Sequence, residues 1–499
     1  MHIFSLIIDA LAAACGSLVL YRLVLHPLRQ HPGPWFAKIT DLYGGTLAAR
    51  RRFSLEAARL HSQYGPVIRV GPNRLLFNSA TAFQDIYGSD KHITKAWTYE
   101  LLTRNKVYST FNTTDRAIHR TKRKLISQAF SKEAMEAFEP VIIRQVDVFL
   151  EILRRRAEKG KPVNMTERLR YLAIDIMGLL ALGYDLETQT TDENRILPEL
   201  FAANFYVGNI WIHFPFFRSI HNNRIFGAMF PGMREQLSRL LEKMIRFRLS
   251  LNTHARPDLL SFVAKGPKNP KSKIRTDAIW KESLILLTTG GDTVASGLAA
   301  TFFYLSRNPA CHRKLAKEIR TKFPNSGSIK GGIVLDSCRY LRACIDEALR
   351  MSPPVPTNLW RQQVAADKTP LTIDGHYVPK GTLFGVNLYA FSHNEEIFTD
   401  PHTYTPDRWL GEDEATKRMK DSFASFSIGP RNCAGKEIAY LEMSIAIAKT
   451  LWNFDFGRAQ GDLASVGEAH DRGRPHEFEA YDAFNSAHDG PYLVFRSRS

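Results

Sequence analysis

An apolar run at the start of the chain predicts a membrane-spanning helix. Residues Ile3 to Leu25 are predominantly apolar, interrupted by Asp9 and Arg22, and a helix of this length can cross a bilayer. No small-residue cleavage site is clear, so the pattern favours a retained anchor over a removed signal peptide. A buried core helix is the alternative interpretation.

A basic, proline-rich segment follows the apolar run. Because positive residues flank its C-terminal end, the positive-inside rule predicts that the bulk of the chain is cytosolic; these residues are Arg22, Arg29, Lys38 and 50–52. The segment 26–34 contains several prolines, which block helix continuation and predict a stiff hinge. The expected division is an anchor over 1–25, a hinge over 26–34 and one large domain over 35–499.

Two further patterns predict elements of the large domain. Ala278 to Leu305 is a long apolar stretch, interrupted at 288–293 by two glycines and three threonines that cost helix stability. Such an interruption is usually a packing feature, although it can also distort a helix beside a ligand. Val67 to Phe77 places a turn-forming triplet between two strand-like runs, which predicts a hairpin. The segment 490–495 predicts a turn leading into a terminal strand.

Two other segments predict surface features. Asn204 to Phe230 is rich in aromatic residues, which suit a lid that dips into the membrane and lines an apolar pocket. Ordinary core packing is the alternative for each of these aromatic residues. Arg256 to Arg275 is basic and contains three prolines, and it predicts a surface loop.

Composition narrows the possible partners. The net charge of +17 suits nucleic acid, an anionic membrane or an acidic protein. No zinc-finger, RNA-recognition or basic-zipper pattern supports nucleic acid, so we expect none as a partner. The five cysteines are few, odd in number and unpatterned, which indicates a reducing compartment without a disulfide framework.

The segment from Phe426 to Gly435 contains one cysteine with unusual surroundings. Cys433 lies between Gly429 and Gly435, which allow a tight turn and a close approach to a flat cofactor. A helix-like segment follows, and its dipole together with Arg431 favours the thiolate. With no second Cys or His at metal-ligand spacing, the site does not suit zinc or an iron–sulfur cluster but does suit an axial haem ligand. A buried structural cysteine is the alternative.

Five positions of this segment match the signature FxxGxRxCxG, and the chain here resembles the cytochrome P450 family of haem-thiolate enzymes. The resemblance implies a mainly α fold with small β-sheets, formed by one large helical domain. It also implies haem b as cofactor, with Cys433 as the iron ligand and Phe426 and Gly435 beside the haem. The segments 21–34 and 64–73 look like those of fungal members that tailor secondary metabolites.

The resemblance assigns proton chemistry to the interrupted apolar stretch. The family's oxygen-activation motif is Ala/Gly-Gly-x-Asp/Glu-Thr, and 289–293 matches it except at Thr289. This implies that Asp292 relays protons and that Thr293 donates a hydrogen bond to bound dioxygen. Helix capping or plain packing is the alternative for Thr293.

The resemblance also assigns residues around the haem. Arg361 and Arg431 match propionate-binding arginines, and Arg123 matches the arginine of a Trp-x-x-x-Arg pair in which His119 takes the place of the tryptophan. A solvated basic face is the alternative for His119. Lys122 and Lys124 lie off that face and are candidates for docking an acidic reductase. His393 lies in an Ala-Phe-Ser-His context and is a further candidate without an assigned role.

A structural triad is expected behind the cysteine loop. Glu347 and Arg350 are spaced i and i+3 on one helix face, which alone is a common surface pair of little value. Arg408 lies in a segment that resembles the family's Phe-x-Pro-x-Arg-Phe, and the three residues match its Glu-Arg-Arg triad. The implied role is structural, since a buried bidentate network fixes geometry.

Taken together, these features predict a monooxygenase anchored in the endoplasmic reticulum membrane, which inserts one oxygen atom from O2 into a small apolar molecule. Electrons would come from NADPH through a separate cytochrome reductase, because no nicotinamide or flavin fingerprint is present. Two alternatives are an isomerase or dehydratase on the same fold, and a haem sensor without turnover. Substrate specificity is expected from the segments 97–108, 201–211, 286–289, 355–359 and 489–492.

Overall fold

A computed structural model describes residues 2–103, 107–220, 232–251, 258–259, 261 and 276–498. Two predicted segments fall partly outside these residues. From the aromatic segment, Phe226 and Phe230 are not described, and from the predicted surface loop only 258–259 and 261 are.

Helices make up most of the described chain. Several begin at a side-chain cap: Asp115, Ser131 and Asn164 each accept a hydrogen bond from the backbone N–H three residues later. The α-helices are His2–Leu20, Trp35–Ile39, Leu42–Ala49, Phe53–Tyr64, Ala80–Tyr87, Arg116–Ile126, Lys132–Glu158, Met165–Leu182, Leu197–His213, Pro215–Ile220, Met233–Ser250, Thr276–Arg307, Pro309–Lys322, Ile333–Asp336, Arg339–Met351, Leu388–Ser392, Glu414–Asp421 and Lys436–Asn453.

The strands form small sheets beside the helices. A five-stranded sheet has the order Val67–Gly71, Arg74–Phe77, Leu383–Val386, Arg361–Gln363, Ile93–Lys95. Its first two strands are the predicted hairpin, and they pair antiparallel. The predicted terminal strand, Tyr492–Ser497, lies between Val163–Asn164 and Phe454–Arg458. Three two-stranded sheets are also present among the described residues: Leu371–Ile373 with His376–Val378, Glu468–Ala469 with Arg474–Phe478, and Tyr481–Ala483 with Asn485–Ala487.

The N-terminal helix stands away from the protein body. The segment Ile3–Leu25 has a mean hydropathy of 2.2 and is long and apolar enough to cross a membrane, and none of it is buried in protein. The core-helix alternative is therefore wrong. The following segment 26–34 packs on the body, because Leu28 is fully buried and His31 nearly so. The Arg69 side chain donates to the carbonyl of Arg22 at 3.0 Å, which attaches the base of the helix to the first sheet.

The long helix Thr276–Arg307 crosses the centre of the molecule without a break. It packs along Met165–Leu182, and a Cβ on Gly290 would lie 2.8 Å from the Met177 side chain. The glycines in the interrupted stretch therefore allow two helices to approach closely. The main hydrophobic core lies between these two helices and Lys132–Glu158, Arg339–Met351 and Lys436–Asn453.

Two sequence predictions fail or hold only in part. The aromatic segment forms Leu197–His213 and Pro215–Ile220, where Phe205 is buried and Phe216 is 62% exposed, so it mixes core with surface. The described residues of the predicted surface loop, Asp258, Leu259 and Ser261, are buried, because Asp258 pairs with buried Arg248. All five cysteines lie among the described residues and are free, as predicted.

Candidate active site

A deep cavity of about 280 Å³ lies beside the cysteine loop, between the long central helix and the five-stranded sheet. The cavity brings together segments that are far apart in sequence. The lining residues from the predicted site are His119, Arg123, Thr289, Gly290, Thr293, Arg361, Phe426, Arg431, Cys433 and Gly435.

The cysteine loop is held in a tight turn. Gly429 has φ +68°, and a Cβ there would lie 2.1 Å from the carbonyl oxygen of Tyr87, so only glycine fits. The Cys433 N–H donates to the carbonyl of Phe426 at 2.8 Å, which closes the loop. A Cβ on Gly435 would contact only Ile438, at 3.6 Å, so protein packing does not demand glycine at this position of the cavity wall. Gly435 instead leaves space for a molecule in the cavity.

The Cys433 residue is surrounded by protein but is still exposed, because it lines the cavity. Burial raises the pKa of its thiol, whereas the Gly435 backbone N–H and the charges of Arg123 and Lys436 lower it. A metal ion deprotonates a coordinating thiol outright. The surroundings thus favour a thiolate once a cation binds the sulfur, which suits the axial-ligand prediction and argues against a structural cysteine packed in the core.

Several cationic side chains meet on one wall of the cavity. Lys95, Arg361 and Arg431 lie close enough that each of the two arginines lowers the pKa of Lys95, after burial as the main cause. The Lys95 ammonium donates to the carbonyl of Phe111, and one Arg431 nitrogen, Nη1, donates to the carbonyl of Thr113 at 2.8 Å. The lysine was missed by sequence reasoning because nothing in its strand marks it as part of the cavity.

This wall fits an anionic cofactor. Arg431 Nε and Nη2 are buried and make no hydrogen bond to any described residue. Burial, followed by the charge of Arg361, lowers the pKa of Arg431 to about 10. Since buried cations without a partner are costly, the wall is complete only with an anion against it. The two propionates of haem b supply such an anion, and the thiol of Cys433 faces the same cavity.

His119 and Arg123 differ in how they are held. His119 is 4% exposed, so the solvated-face alternative is wrong, and burial followed by nearby cations lowers its pKa to about 3. The ring is therefore neutral near pH 7 and can donate one N–H. Arg123 donates to the carbonyl of Asn432 at 2.9 Å and to its Oδ1 at 2.7 Å, which fixes the guanidinium against the cysteine loop.

The predicted role of Lys122 is wrong. Its side chain is 16% exposed and pairs with buried Glu282 at 2.9 Å, so it cannot dock a protein partner. The same Glu282 carboxylate accepts from the backbone N–H of Thr110, and it thereby holds the loop over the cavity. Lys124 is exposed and remains a candidate.

Asp292 and Thr293 are adjacent on the central helix but are held differently. The Asp292 side chain is 9% exposed, and burial raises its pKa. Its Oδ2 accepts from Asn485 at 2.9 Å, and Arg170 lies 3.6 Å from Oδ1. The Thr293 hydroxyl donates to the Thr289 carbonyl at 2.6 Å and lines the cavity. Asn485, which sequence reasoning missed, lines the cavity and links it to Asp292.

Glu442 is a further carboxyl group in the cavity wall, which Glu282 also lines. Glu442 is 2% exposed, and neither of its oxygens has a hydrogen-bond partner among the described residues. Burial raises its pKa to about 8, so the group is mostly protonated at neutral pH.

The predicted triad forms a buried network. Arg350 donates to both oxygens of Glu347, at 2.9 and 2.8 Å, and Arg408 donates at 3.0 Å. The Thr405 backbone and the Trp409 indole add two more hydrogen bonds. The Glu347 and Arg350 side chains are fully buried, so the surface-pair alternative is wrong.

The apolar lining only partly follows the prediction. The segments 97–108, 286–289 and 355–359 contribute Tyr99, Leu286, Thr289, Val355 and Leu359. The segments 201–211 and 489–492 contribute no lining residue among those described. Aromatic side chains also come from Phe111 and Phe484, which lie outside the predicted segments. Phe205 lies behind the wall and stacks on Phe484 at 5.8 Å. His393 lies outside this cavity and is buried.

Comparison with known proteins decides the family. A family model described as Cytochrome P450 matches residues 31–464. The chain belongs to the cytochrome P450 family. It is 31% identical over 503 residues to "Cytochrome P450 monooxygenase AKT7" of Alternaria alternata, which covers 96% of this chain and 95% of the relative. It is 32% identical over 491 residues to "Cytochrome P450 monooxygenase poxM" of Penicillium oxalicum, covering 96% and 92%.

A third relative carries a more specific name. "Trichothecene C-15 hydroxylase" of Fusarium sporotrichioides is 29% identical over 484 residues, covering 96% of this chain and 95% of the relative. These names favour a cytochrome P450 monooxygenase over the isomerase, dehydratase and sensor alternatives. The predicted fold, the haem b cofactor and the class of oxidoreductase are confirmed.

Proposed function

We propose that this cytochrome P450 hydroxylates or otherwise oxygenates an apolar intermediate of fungal secondary metabolism, with Cys433 as the thiolate ligand of haem b. The observation that carries the proposal is one cavity shared by the Cys433 thiol, the cationic wall and the Thr289–Thr293 face of the central helix. Haem b bound through this sulfur supplies dioxygen binding and activation. The apolar walls from Tyr99, Phe111 and Phe484 suit an apolar substrate.

The chain's own groups have distinct tasks in this proposal. His119, Arg123, Arg361 and Arg431 hold the propionates, with Lys95 as a further cation. Charge-assisted hydrogen bonds to buried carboxylates are short and strong, so this wall fixes the plane of the cofactor.

Protons reach the cavity through Asp292. Its carboxylate lies between Asn485, which lines the main cavity, and Arg170, which lines a second cavity with His488. A carboxyl with a raised pKa takes up a proton more readily than an exposed aspartate. Thr293 lines the cavity and donates its hydroxyl hydrogen to the Thr289 carbonyl. Rotation about χ1 would break that hydrogen bond and turn the hydroxyl hydrogen toward a molecule in the cavity.

The membrane and the redox partner complete the proposal. Residues 1–25 anchor the chain in the endoplasmic reticulum membrane. Residues 26–34 connect this anchor to the cytosolic catalytic domain, which residues 35–499 form. Exposed Trp35, Leu42 and Phe216 can enter the lipid surface. An NADPH-dependent cytochrome reductase supplies electrons, and exposed Lys124 is a candidate contact.

The proposal is tested by metabolite analysis of a fungal strain lacking this protein. Accumulation of a precursor that the purified enzyme oxidises, with NADPH, O2 and a reductase, would support it. The label of ¹⁸O2 should enter the product. Turnover of the precursor without reductase and without O2 would instead indicate an isomerase or dehydratase.

Replacing Asp292 with asparagine is expected to lower the rate of product formation by about a hundredfold, because the amide keeps the shape but cannot carry a proton. More of the consumed O2 should leave as peroxide instead of product. The measurement is product and peroxide formed per NADPH, in H2O and in D2O. Asp336→Asn, at an exposed position, is the matched control and should leave all three quantities unchanged. An Asp292→Asn enzyme with unchanged rate and coupling would remove Asp292 from the proton path.

A further inference from the structure

Three potential metal-ligand atoms lie close together outside the cavity beside the cysteine loop. His393, His402 and Glu477 each offer one ligand atom, and these atoms lie within 4.8 Å of one another. The atoms in question are His393 Nε2, His402 Nδ1 and Glu477 Oε2. Each atom is buried, and none has a hydrogen-bond partner among the described residues. One buried polar atom without a partner is already costly. Three such atoms this close together indicate a place where an ion or a water can bind.

His393 is prepared as a ligand by its own helix. It follows Leu388–Ser392, and its Nδ1 lies 2.9 Å from the carbonyl oxygen of Tyr389. Because a carbonyl can only accept, Nδ1 carries the hydrogen and Nε2 presents a lone pair. Metal-binding histidines are usually oriented in this way by a hydrogen bond from the other ring nitrogen. The His393 residue is 8% exposed, so its lone pair does not reach bulk water.

Glu477 divides its two oxygens between different partners. Oε1 accepts from the Tyr389 hydroxyl at 2.6 Å and from Arg472 at 3.3 Å. Oε2 lies on the side of the histidines and has two longer ionic contacts, with Arg474 at 3.5 Å and with His402 Nδ1 at 3.7 Å. Arg472 therefore orients the carboxylate through one oxygen and leaves the other for a cation. The Arg474 side chain is 43% exposed and can turn into solvent when an ion binds.

His402 forms the open side of the cluster. Its side chain is 35% exposed, and it lines a surface cavity together with His393, Glu395 and Arg474, which gives an ion a way in. Its ring lies against that of His393, with centroids 4.7 Å apart and planes at 22°. The two lone pairs converge only if one ring turns, and the partly exposed His402 is the ring with room to do so.

We propose that His393, His402 and Glu477 bind a Zn²⁺ ion, with the fourth position open to the surface cavity. Two imidazole nitrogens and one carboxylate oxygen are a donor set that zinc prefers, in tetrahedral geometry. The ion would join three segments: the end of Leu388–Ser392, the loop at 402 and the strand Arg474–Phe478. Its charge would also balance the Glu477 oxygen that faces the histidines.

A zinc ion at this site would also stabilise the segments around the buried triad of Glu347, Arg350 and Arg408. Arg350 of the triad donates to the carbonyls of Ser392 and Pro401, each at 2.8 Å. These carbonyls immediately precede His393 and His402 in sequence. A zinc ion bound to both histidines would therefore restrain the same two backbone segments to which Arg350 donates its hydrogen bonds.

An ordered water is the competing occupant. It could donate to His393 Nε2 and Glu477 Oε2 and accept from His402 Nδ1–H, which satisfies all three atoms without a metal. Metal analysis and treatment with a chelator distinguish a bound zinc ion from a bound water.

The test uses the full-length holoenzyme, purified with a tag that contains no histidines and then dialysed against buffered zinc. Zinc and iron are counted together by mass spectrometry, so the haem iron serves as the internal standard. We expect roughly one zinc per haem iron in the native protein. His402→Ala should lower zinc affinity by about tenfold or more. His476→Ala, an exposed histidine beside Glu477, is the matched control and should bind zinc as the native protein does.

A second measurement, of the melting temperature, tests whether zinc stabilises the fold. Removing zinc with a chelator should lower the melting temperature of the native protein and of His476→Ala but not that of His402→Ala. Zinc at far below one per haem would overturn the proposal in favour of water. If His402→Ala bound zinc with the native affinity, the ion would be bound elsewhere, and the proposal would also be overturned.

Discussion

Replacing Cys433 with serine is expected to abolish product formation, with a fall of roughly a thousandfold or more. A serine hydroxyl stays neutral at physiological pH, so the nearby charges of Arg123 and Lys436 that favour a thiolate have no anion to stabilise. Serine is nearly the size of cysteine, and the backbone hydrogen bond that closes the loop does not involve the sulfur. The measurement is haem content and NADPH-dependent product formation of the purified variant.

Cys311→Ser is the control for this prediction. Cys311 is a free, partly buried cysteine outside the cavity, so its replacement should leave haem content and rate near the native values. If Cys433→Ser retained native activity, the sulfur would not be the ligand on which the chemistry depends.

Removing the charge of Glu347 is the second large effect that we expect. Glu347→Gln leaves two arginines, Arg350 fully buried and Arg408 11% exposed, without their carboxylate. Breaking a buried ion pair by removing one partner costs about 3–5 kcal/mol of unfolding free energy. The variant should therefore unfold at a much lower urea concentration and lose haem on storage. Glu414→Gln, from an exposed pair with Lys417 at 3.3 Å, should change stability by less than about 1 kcal/mol.

The same network predicts how the stability of the protein changes at low pH. Burial alone would raise the pKa of Glu347, but the hydrogen bonds and charges of Arg350 and Arg408 outweigh it and hold the pKa below the ordinary 4.5. The stabilisation is therefore fully present above pH 4.5 and is lost as the pH falls through the lowered folded-state pKa. In Glu347→Gln this part of the acid unfolding profile should be absent.

Local patterns in the sequence predicted much of the fold. The Val67–Phe77 hairpin and the central helix follow from short-range periodicity, and the structure confirms both. The surface-loop prediction for 256–275 was wrong at Asp258 because its partner, Arg248, lies on another element. Composition predicts solvent exposure only where no distant residue neutralises the charge.

The candidate site shows the same limit. Cys433, Arg431 and Arg361 could be predicted because they lie in motifs with fixed spacing. Lys95 and Asn485 could not, since each joins the site only through tertiary packing of a short strand or turn. Lys122 was misjudged for a similar reason: helical spacing shows which face a lysine shares but not that Glu282 lies opposite. The cluster of His393, His402 and Glu477 joins residues as far apart as 84 positions in the chain, so sequence spacing gives no sign of it.

One spectrum tests the bond between Cys433 sulfur and haem iron most directly. The purified protein is reduced, exposed to carbon monoxide and compared with the reduced protein alone. A Soret band at the long-wavelength position characteristic of thiolate ligation is the result that we expect, and it should be missing in Cys433→Ser. A band at the position of a histidine-ligated or unligated haem in the freshly purified native protein would contradict the assignment of Cys433.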